Sequence, residues 1–141
     1  MRTGAPATAR SAYYDRNPVS IQLVFNELLN PHPQTLRASY TVPANRKAIL
    51  EYSDLMIGMY PQLVTTLKRA WFSLSIQVSG GTGVIASFVE LYTQVPSHDR
   101  VVHSQGGTLN AGDNIALYSE DDSTGGQCYY IGYVKLLEFD A

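Results

Sequence analysis

The sequence predicts an all-β protein, an antiparallel β-sandwich or jelly roll of about eight strands with an extended N-terminal arm. Three observations support this class. Several short runs alternate apolar and polar residues with a period of two, as half-buried strands do. Turn signals rich in glycine, proline and asparagine separate these runs at intervals of roughly 8–15 residues, close to the spacing typical of sandwiches. Strands and helices do not alternate along the sequence, so a parallel sheet is not expected.

The arm is predicted over residues 1–18 and a single β-sandwich domain over residues 19–141. Residues 1–18 are rich in alanine, threonine, glycine and proline and show no periodicity. They carry three arginines and one aspartate, whereas the remainder carries seven basic and eleven acidic residues. A mildly basic arm therefore precedes an acidic domain, and we expect the arm to dock in an extended conformation on a neighbouring subunit.

The first half of the domain contains two alternating runs and one longer apolar segment. Apolar and polar residues alternate over residues 19–25 and again over 36–42. Between them, NPHPQ (residues 30–34) predicts a turn, because its prolines cannot pair within a central strand. Residues 47–60 predict a strand or a bent strand. Residues 61–71 fit either a short helix begun by a proline or an approach to the next strand.

The second half begins with the clearest strand pattern of the chain, FSLSIQV at residues 72–78. The glycine-rich segment 79–83 predicts a turn. GTGVIA (81–86) has the spacing of a dinucleotide-binding fingerprint but lacks the strand–helix–strand context that such a site needs. Residues 114–120 and 127–139 predict two strands that close the chain as a hairpin.

The last predicted strand is apolar on both faces. One face carries Tyr129, Ile131, Tyr133, Leu137 and Phe139, and the other carries Tyr130, Val134 and Leu136. A sandwich strand needs only one buried face, so we expect the second to meet another element or another chain.

Composition excludes several classes of function. Of the 141 residues 45% are hydrophobic, so the chain can bury a substantial core. Only 16% are charged, below the usual quarter or so, which indicates a surface partly covered by another molecule, such as other copies of the chain. The net charge of −2 argues against nucleic acid as a partner, and no apolar run reaches membrane-spanning length. The single cysteine cannot form an internal disulfide.

The candidate chemical groups do not form a recognisable site. His98 and His103 are five residues apart, which places them on opposite faces of a strand, and the His-x-His spacing of a cupin metal site is absent. Cys128 has no adjacent histidine or lysine, and the acids at 120–122 would raise the pKa of its thiol. We predict no catalytic residue, cofactor or metal. A loose Ca²⁺ site at residues 120–122 is the alternative to a solvated hairpin tip.

Three stretches share features with a known group of proteins: SYTVPANRKAIL (39–50), GTLNAGDNIALYSED (107–121) and YYIGYVKLLEF (129–139). They resemble small jelly-roll proteins of tailed-phage virions, which include head-decoration (cement) proteins and fibre or spike modules. The resemblance implies a trimer on the capsid surface, bound to the major capsid protein or another virion protein. It brings no shared catalytic residues.

We therefore expect a non-enzymatic virion structural protein, a capsid decoration protein that oligomerises and stabilises the shell. No nucleic acid, membrane or cofactor is expected as a partner. The alternative is a carbohydrate- or receptor-binding module of a phage fibre or tail, which would need Trp71 exposed for stacking on a sugar. The residues predicted to form the interface are Tyr13, Tyr14, Arg16, Tyr129, Ile131 and Tyr133.

Overall fold

The structure is a computed structural model, and it describes residues 14–59, 69–92, 98–104, 106–124 and 126–141. Within these ranges a 3-10 turn precedes nine strands, so the predicted all-β class is confirmed. The turn is Tyr14–Arg16, and the strands are β1 (Val19–Leu29), β2 (His32–Thr41), β3 (Arg46–Met59), β4 (Ala70–Gln77), β5 (Gly83–Leu91), β6 (His98–His103), β7 (Thr108–Asn110), β8 (Asn114–Asp121) and β9 (Cys128–Asp140).

The strands form two antiparallel sheets. Sheet A has the order β1-β9-β3-β6, with β7 also pairing with β3, and sheet B has the order β2-β8-β4-β5. The pairs β1·β9, β2·β8, β3·β6 with β7, and β4·β5 are nested, so the chain folds as one long hairpin. Rolling up that hairpin brings β9 against β3 and β8 against β4. Two sheets whose strands are distributed in this nested order form a jelly roll, which confirms the predicted architecture.

The core lies between the sheets and follows the alternation of the sequence. Phe72 and Leu74 on β4 are fully buried at alternate positions, as predicted. The Phe72 ring stands edge-on to Tyr130 on β9, with 5.7 Å between centroids, and lies 6.0 Å from the Phe25 ring on β1. Gly132 leaves room for this ring, since a Cβ there would lie 2.7 Å from Phe72 Cζ. An aromatic cluster therefore joins the two sheets at mid-strand.

The predicted closing hairpin is wrong. β8 pairs with β2 and β4 in sheet B, whereas β9 pairs with β1 and β3 in sheet A. The two strands therefore belong to different sheets and do not form a hairpin with each other. A period of two shows that two segments are strands, but it carries no information on which strands pair. Both strands are central in their sheets and pair on each side with strands that are distant in sequence, so the edges of β8 and β9 are already occupied and the two do not pair with each other.

The turn predicted over residues 30–34 is shorter in the structure. Residues 30–31 alone join β1 to β2, and Pro33 lies inside β2. β2 is an edge strand, and its register shifts between His32 and Thr35, where Pro33 falls. A residue without an N–H is tolerated at such a place, which is why the proline does not exclude a strand.

Two further irregularities change which side chains face the core. A register shift between Leu36 and Ala38 leaves Leu36 exposed, although the uninterrupted alternation predicted it on the same face as Ala38. A shift between Leu50 and Tyr52 interrupts β3, as the predicted bent strand allows.

Two predicted segments fall partly outside the described residues. Of the ambiguous stretch 61–71, residues 61–68 lie outside, and Ala70 and Trp71 begin β4. Of the predicted arm, residues 1–13 lie outside, and residues 14–16 form the 3-10 turn. In the described ranges, no helix has the length and apolar character needed to cross a bilayer.

Candidate interaction surface

The outer face of sheet A carries a contiguous group of apolar side chains. β9 lies between β1 and β3, so its outward residues occupy the middle of this face. Residues at even positions of β9 are buried in the core from Cys128 to Leu136, and the odd positions between them are half-buried and point outward. We call the group on this face the outer apolar band, which consists of Val24, Leu28, Met56, Val102, Tyr129, Ile131 and Tyr133.

Strand register brings the members of the band together. Leu28 lies opposite Tyr129 and Val24 opposite Tyr133 across the β1·β9 pair. Met56 lies opposite Ile131 across the β3·β9 pair. The three interface residues predicted on the last strand, Tyr129, Ile131 and Tyr133, therefore share one face of sheet A.

The band is exposed at its margins. Val24 is 61% exposed, Val102 46% and Leu28 43%, while the central members are half-buried. Sheet B also has exposed apolar side chains, but its central strands carry the small residues Ser73, Ser75 and Ala116 between them, and Ser73 and Ala116 are buried. An exposed apolar group on a sheet face is typical of protein–protein interaction sites.

Sequence reasoning missed the members of the band outside β9. Val24 and Leu28 each stand next to an inward-facing apolar residue, in the runs LVF (23–25) and LL (28–29). These breaks in the alternation are a signal that one side chain points outward. Met56 and Val102 give no such local signal. The register of β3 places Met56 beside β9, and the register of β6 places Val102 on the same face of the sheet, on the far side of β3.

Tyr129 is held flat on the sheet by a glycine. Its ring occupies the space where a Cβ of Gly58 would stand. An aromatic side chain that covers a strand glycine shields the backbone and loses conformational freedom. The Tyr129 ring is therefore preorganised, which would lower the entropic cost of covering it with a partner.

One ion pair lies among the band residues, because Asp54 stands opposite both Tyr133 and Val102, and a second lies beside Tyr133. Arg100 holds Asp54 with two hydrogen bonds, Nε to Oδ1 at 2.8 Å and Nη2 to Oδ2 at 2.6 Å. Hydrogen bonding from Arg100 lowers the pKa of the Asp54 carboxyl from its ordinary value. Lys135 Nζ lies 3.5 Å from Glu51. Since these charges are paired within the chain, a partner can cover the band without leaving an isolated charge.

The described end of the predicted arm is attached to the far end of β9. Arg46 Nη2 donates to the Asn17 carbonyl at 2.9 Å, and Asn17 Nδ2 donates to Asp140 Oδ2 at 2.6 Å. The Arg16 guanidinium lies 5.8 Å from the centroid of the Phe139 ring.

The arm residues and the band are thus separate sites. At about 3.3 Å per strand residue, Phe139 is roughly 33 Å from Tyr129 along β9. The structure therefore does not bring Arg16 together with the predicted interface residues of the last strand. Tyr13 lies outside the described residues, and Tyr14 begins the 3-10 turn.

The three carboxylates at 120–122 have different surroundings and do not converge on one point where an ion could bind. Glu120 accepts a hydrogen bond from Trp71 Nε1, and Asp122 is exposed. Asp121 is 3% exposed, so the expectation that these acids are solvated is wrong for it, and its Oδ1 accepts from Ser123 N at 2.7 Å. Across the described ranges no group of three or more His, Cys, Asp or Glu side chains is placed to hold a metal.

A serine–histidine pair that sequence reasoning missed lies between β2 and β8. His32 Nε2 and Ser119 Oγ are 2.8 Å apart, and His32 Nδ1 lies 2.7 Å from the Asn30 carbonyl. This bonding assigns the proton to Nδ1 and makes Nε2 the acceptor, as in a nucleophile–base pair. However, Ser119 is completely buried and its Oγ also accepts from Arg37 Nε at 2.8 Å. A substrate cannot reach it, so the pair serves packing.

Cys128 is also enclosed. It is fully buried, and desolvation, reinforced by the Asp121 carboxylate, raises the pKa of its thiol to about 12. The thiolate that a nucleophile requires is therefore scarce at neutral pH.

Trp71 is unavailable for stacking on a sugar. It is 7% exposed, its Nε1–H is bonded to Glu120, and the Arg69 guanidinium lies 5.2 Å from its ring centroid. The carbohydrate-binding alternative required this ring at the surface, so the structure removes the feature that supported it.

Comparisons with known proteins identify no relative in sequence: no family model matches the chain and no curated protein matches it. Solved structures with some likeness include one from Bacillus endospore appendages, disulfide-linked pili, with a TM-score of 0.44, 8% identity and coverage of 99% of this chain and 98% of that one. A structure of turnip yellow mosaic virus has a TM-score of 0.38 and 12% identity, and the match covers 100% of this chain and 86% of that one. A structure of infectious bursal disease virus, Gx strain, has a TM-score of 0.39 and 8% identity, and the match covers 87% of this chain and 32% of that one. At these values the likeness says nothing of function, and the jelly-roll assignment stands on the strand pairing itself.

Proposed function

We propose that this chain is a non-enzymatic structural protein of a virion, a capsid decoration protein that associates with copies of itself through the outer apolar band. The observation that carries the proposal is the band itself, a preorganised aromatic and aliphatic surface on the central strand of a sheet. The virion context comes from the resemblance of three sequence stretches to decoration proteins of tailed phages.

Burial of apolar surface is the driving force of this association. Covering a side chain such as Val24 or Ile131 contributes on the order of 25 cal/mol per Å² of apolar area. A stable interface buries about 1,200–2,000 Å² in total, so the band would form its centre and polar residues its rim. Tyrosine is favoured at such centres, and Tyr129 and Tyr133 would provide the anchors.

In this proposal the protein is a trimer on the capsid surface, and residues 1–18 contact neighbouring subunits. Their attachment point at Arg46 and Asp140 lies at the opposite end of β9 from Tyr129. Self-association and shell binding would therefore use different ends of the molecule. A protein that binds only the assembled shell stabilises that shell by mass action.

Self-association is tested with two edge-strand variants of equal exposure. Val24→Glu places a charge in the band, and Val84→Glu places one on β5 of the other sheet; both valines are 61% exposed. Light scattering after gel filtration should show the wild type and Val84→Glu as oligomers and Val24→Glu as a monomer, with equal circular dichroism spectra. Equal masses for all three proteins would refute the band as the interface.

Shell binding is tested separately. An antibody against this chain should label intact particles isolated from the source of the sequence, and removal of residues 1–13 should weaken binding to those particles. If the chain oligomerises but does not label particles, self-association stands and the decoration role fails.

A further inference from the structure

A cavity of about 220 Å³ lies between the two sheets, away from the outer apolar band. Its apolar walls include Leu50 from β3 and Leu74 and Ile76 from β4. It reaches the surface beside the edge strands β5 and β6, where the lining residues Ala86 and His103 are exposed.

Two hydroxyl groups in this cavity lack a partner. Ser53 on β3 is 1% exposed and Ser87 on β5 is 6% exposed, and neither Oγ has a hydrogen-bond partner in the described part of the chain. Ser53 and His103 are directly opposite each other in the β3·β6 pair, so an imidazole stands beside the first hydroxyl. Buried hydroxyls without a partner are costly, and a ligand that bonds to them recovers that cost.

We propose that this cavity binds a small neutral amphipathic molecule, a six-membered ring or short chain that carries one hydroxyl or carbonyl group. A cavity of about 150 Å³ can hold benzene, so this one has room for a ring and a short polar substituent. The apolar part would lie against Leu50, Leu74 and Ile76, and its oxygen would bond to Ser53 and Ser87. Among the described residues that line the cavity there is no aspartate, glutamate, lysine or arginine, which selects against a charged ligand.

The proposal can be tested on the full chain with phenol and benzene as probes. Phenol should bind saturably and shift the methyl NMR signals of Leu50, Leu74 and Ile76. Benzene, which has the ring without the hydroxyl, should bind at least about 3-fold more weakly, as expected for one lost hydrogen bond. Binding of phenol elsewhere, or no saturable shift of these methyl signals, would overturn the proposal.

Serine variants test the polar contacts. Ser53→Ala and Ser87→Ala should each weaken the binding of phenol about 3- to 10-fold and leave the binding of benzene unchanged. The matched control is Ser73→Ala, because Ser73 is likewise buried and without a partner for its Oγ but does not line the cavity. If all three variants bind phenol as the wild type does, or if a crystal structure in phenol shows only ordered water on both hydroxyls, the assignment is wrong.

Discussion

Replacing Gly132 with alanine tests the packing at the centre of the sandwich. The added Cβ would lie 2.7 Å from Phe72 Cζ, 2.8 Å from Phe72 Cε2 and 3.2 Å from Leu117 Cδ1. Optimal carbon contacts are about 3.5–4.0 Å, so the overlap approaches 1 Å. Phe72 cannot retreat, because it is fully buried between the rings of Tyr130 and Phe25.

Overpacking of this kind destabilises the fold by about 1–3 kcal/mol. The loss of glycine from a strand by itself stabilises the fold by roughly 0.5–1 kcal/mol, which offsets part of that cost. Gly132 has no positive φ, so backbone strain does not add to the balance. We expect a net loss of about 1–2 kcal/mol in the free energy of unfolding, measured by urea denaturation. Gly107→Ala is the control, since no described atom lies within 4 Å of a Cβ at that position.

A double-mutant cycle identifies the cause of the loss. In Gly132→Ala, the further change Phe72→Leu should cost less than it does in the wild type, with a coupling of about 0.5 kcal/mol or more. Additive effects of the two changes, or equal stability of Gly132→Ala and Gly107→Ala, would refute the packing described for Phe72.

The remaining predictions concern single groups on β3 and β9. Because burial raises the pKa of Cys128 to about 12, the folded protein should not react with a thiol reagent at pH 8, and prompt reaction without denaturant would contradict this burial. Gly58→Ala should displace the Tyr129 ring and weaken self-association while the far-ultraviolet circular dichroism stays unchanged; unaltered association would count against Tyr129 as an anchor. The lowered pKa of Asp54, paired with Arg100, means that its contribution to stability is present above its unfolded pKa of about 3.9 and is lost as pH falls through the lower folded value. Wild type should therefore be more stable than Asp54→Asn at pH 7, and the difference in stability should close as the pH falls below the folded pKa of Asp54; a difference that does not depend on pH would refute the linkage.

Part of the interaction surface could be predicted from the sequence. Tyr129, Ile131 and Tyr133 alternate with Tyr130 and other core residues, so one chemical pattern predicted both faces of β9. Val102 could not be found this way, because only the pairing of β6 with β3 brings it to the same face. The His32–Ser119 bond joins residues 87 positions apart and has no local signal.

The sequence by itself determined the all-β class, most strand positions and, where no register shift intervenes, the face on which most strand side chains lie. These depend on local alternation, which a chain of pleated backbone imposes residue by residue. Only the tertiary structure decided which strands pair, and hence that β8 and β9 belong to different sheets. It also decided that Trp71 and Asp121 are buried and that Ser53 and Ser87 line one cavity. These features depend on long-range register, which follows from how the whole rolled hairpin buries its core rather than from any short segment.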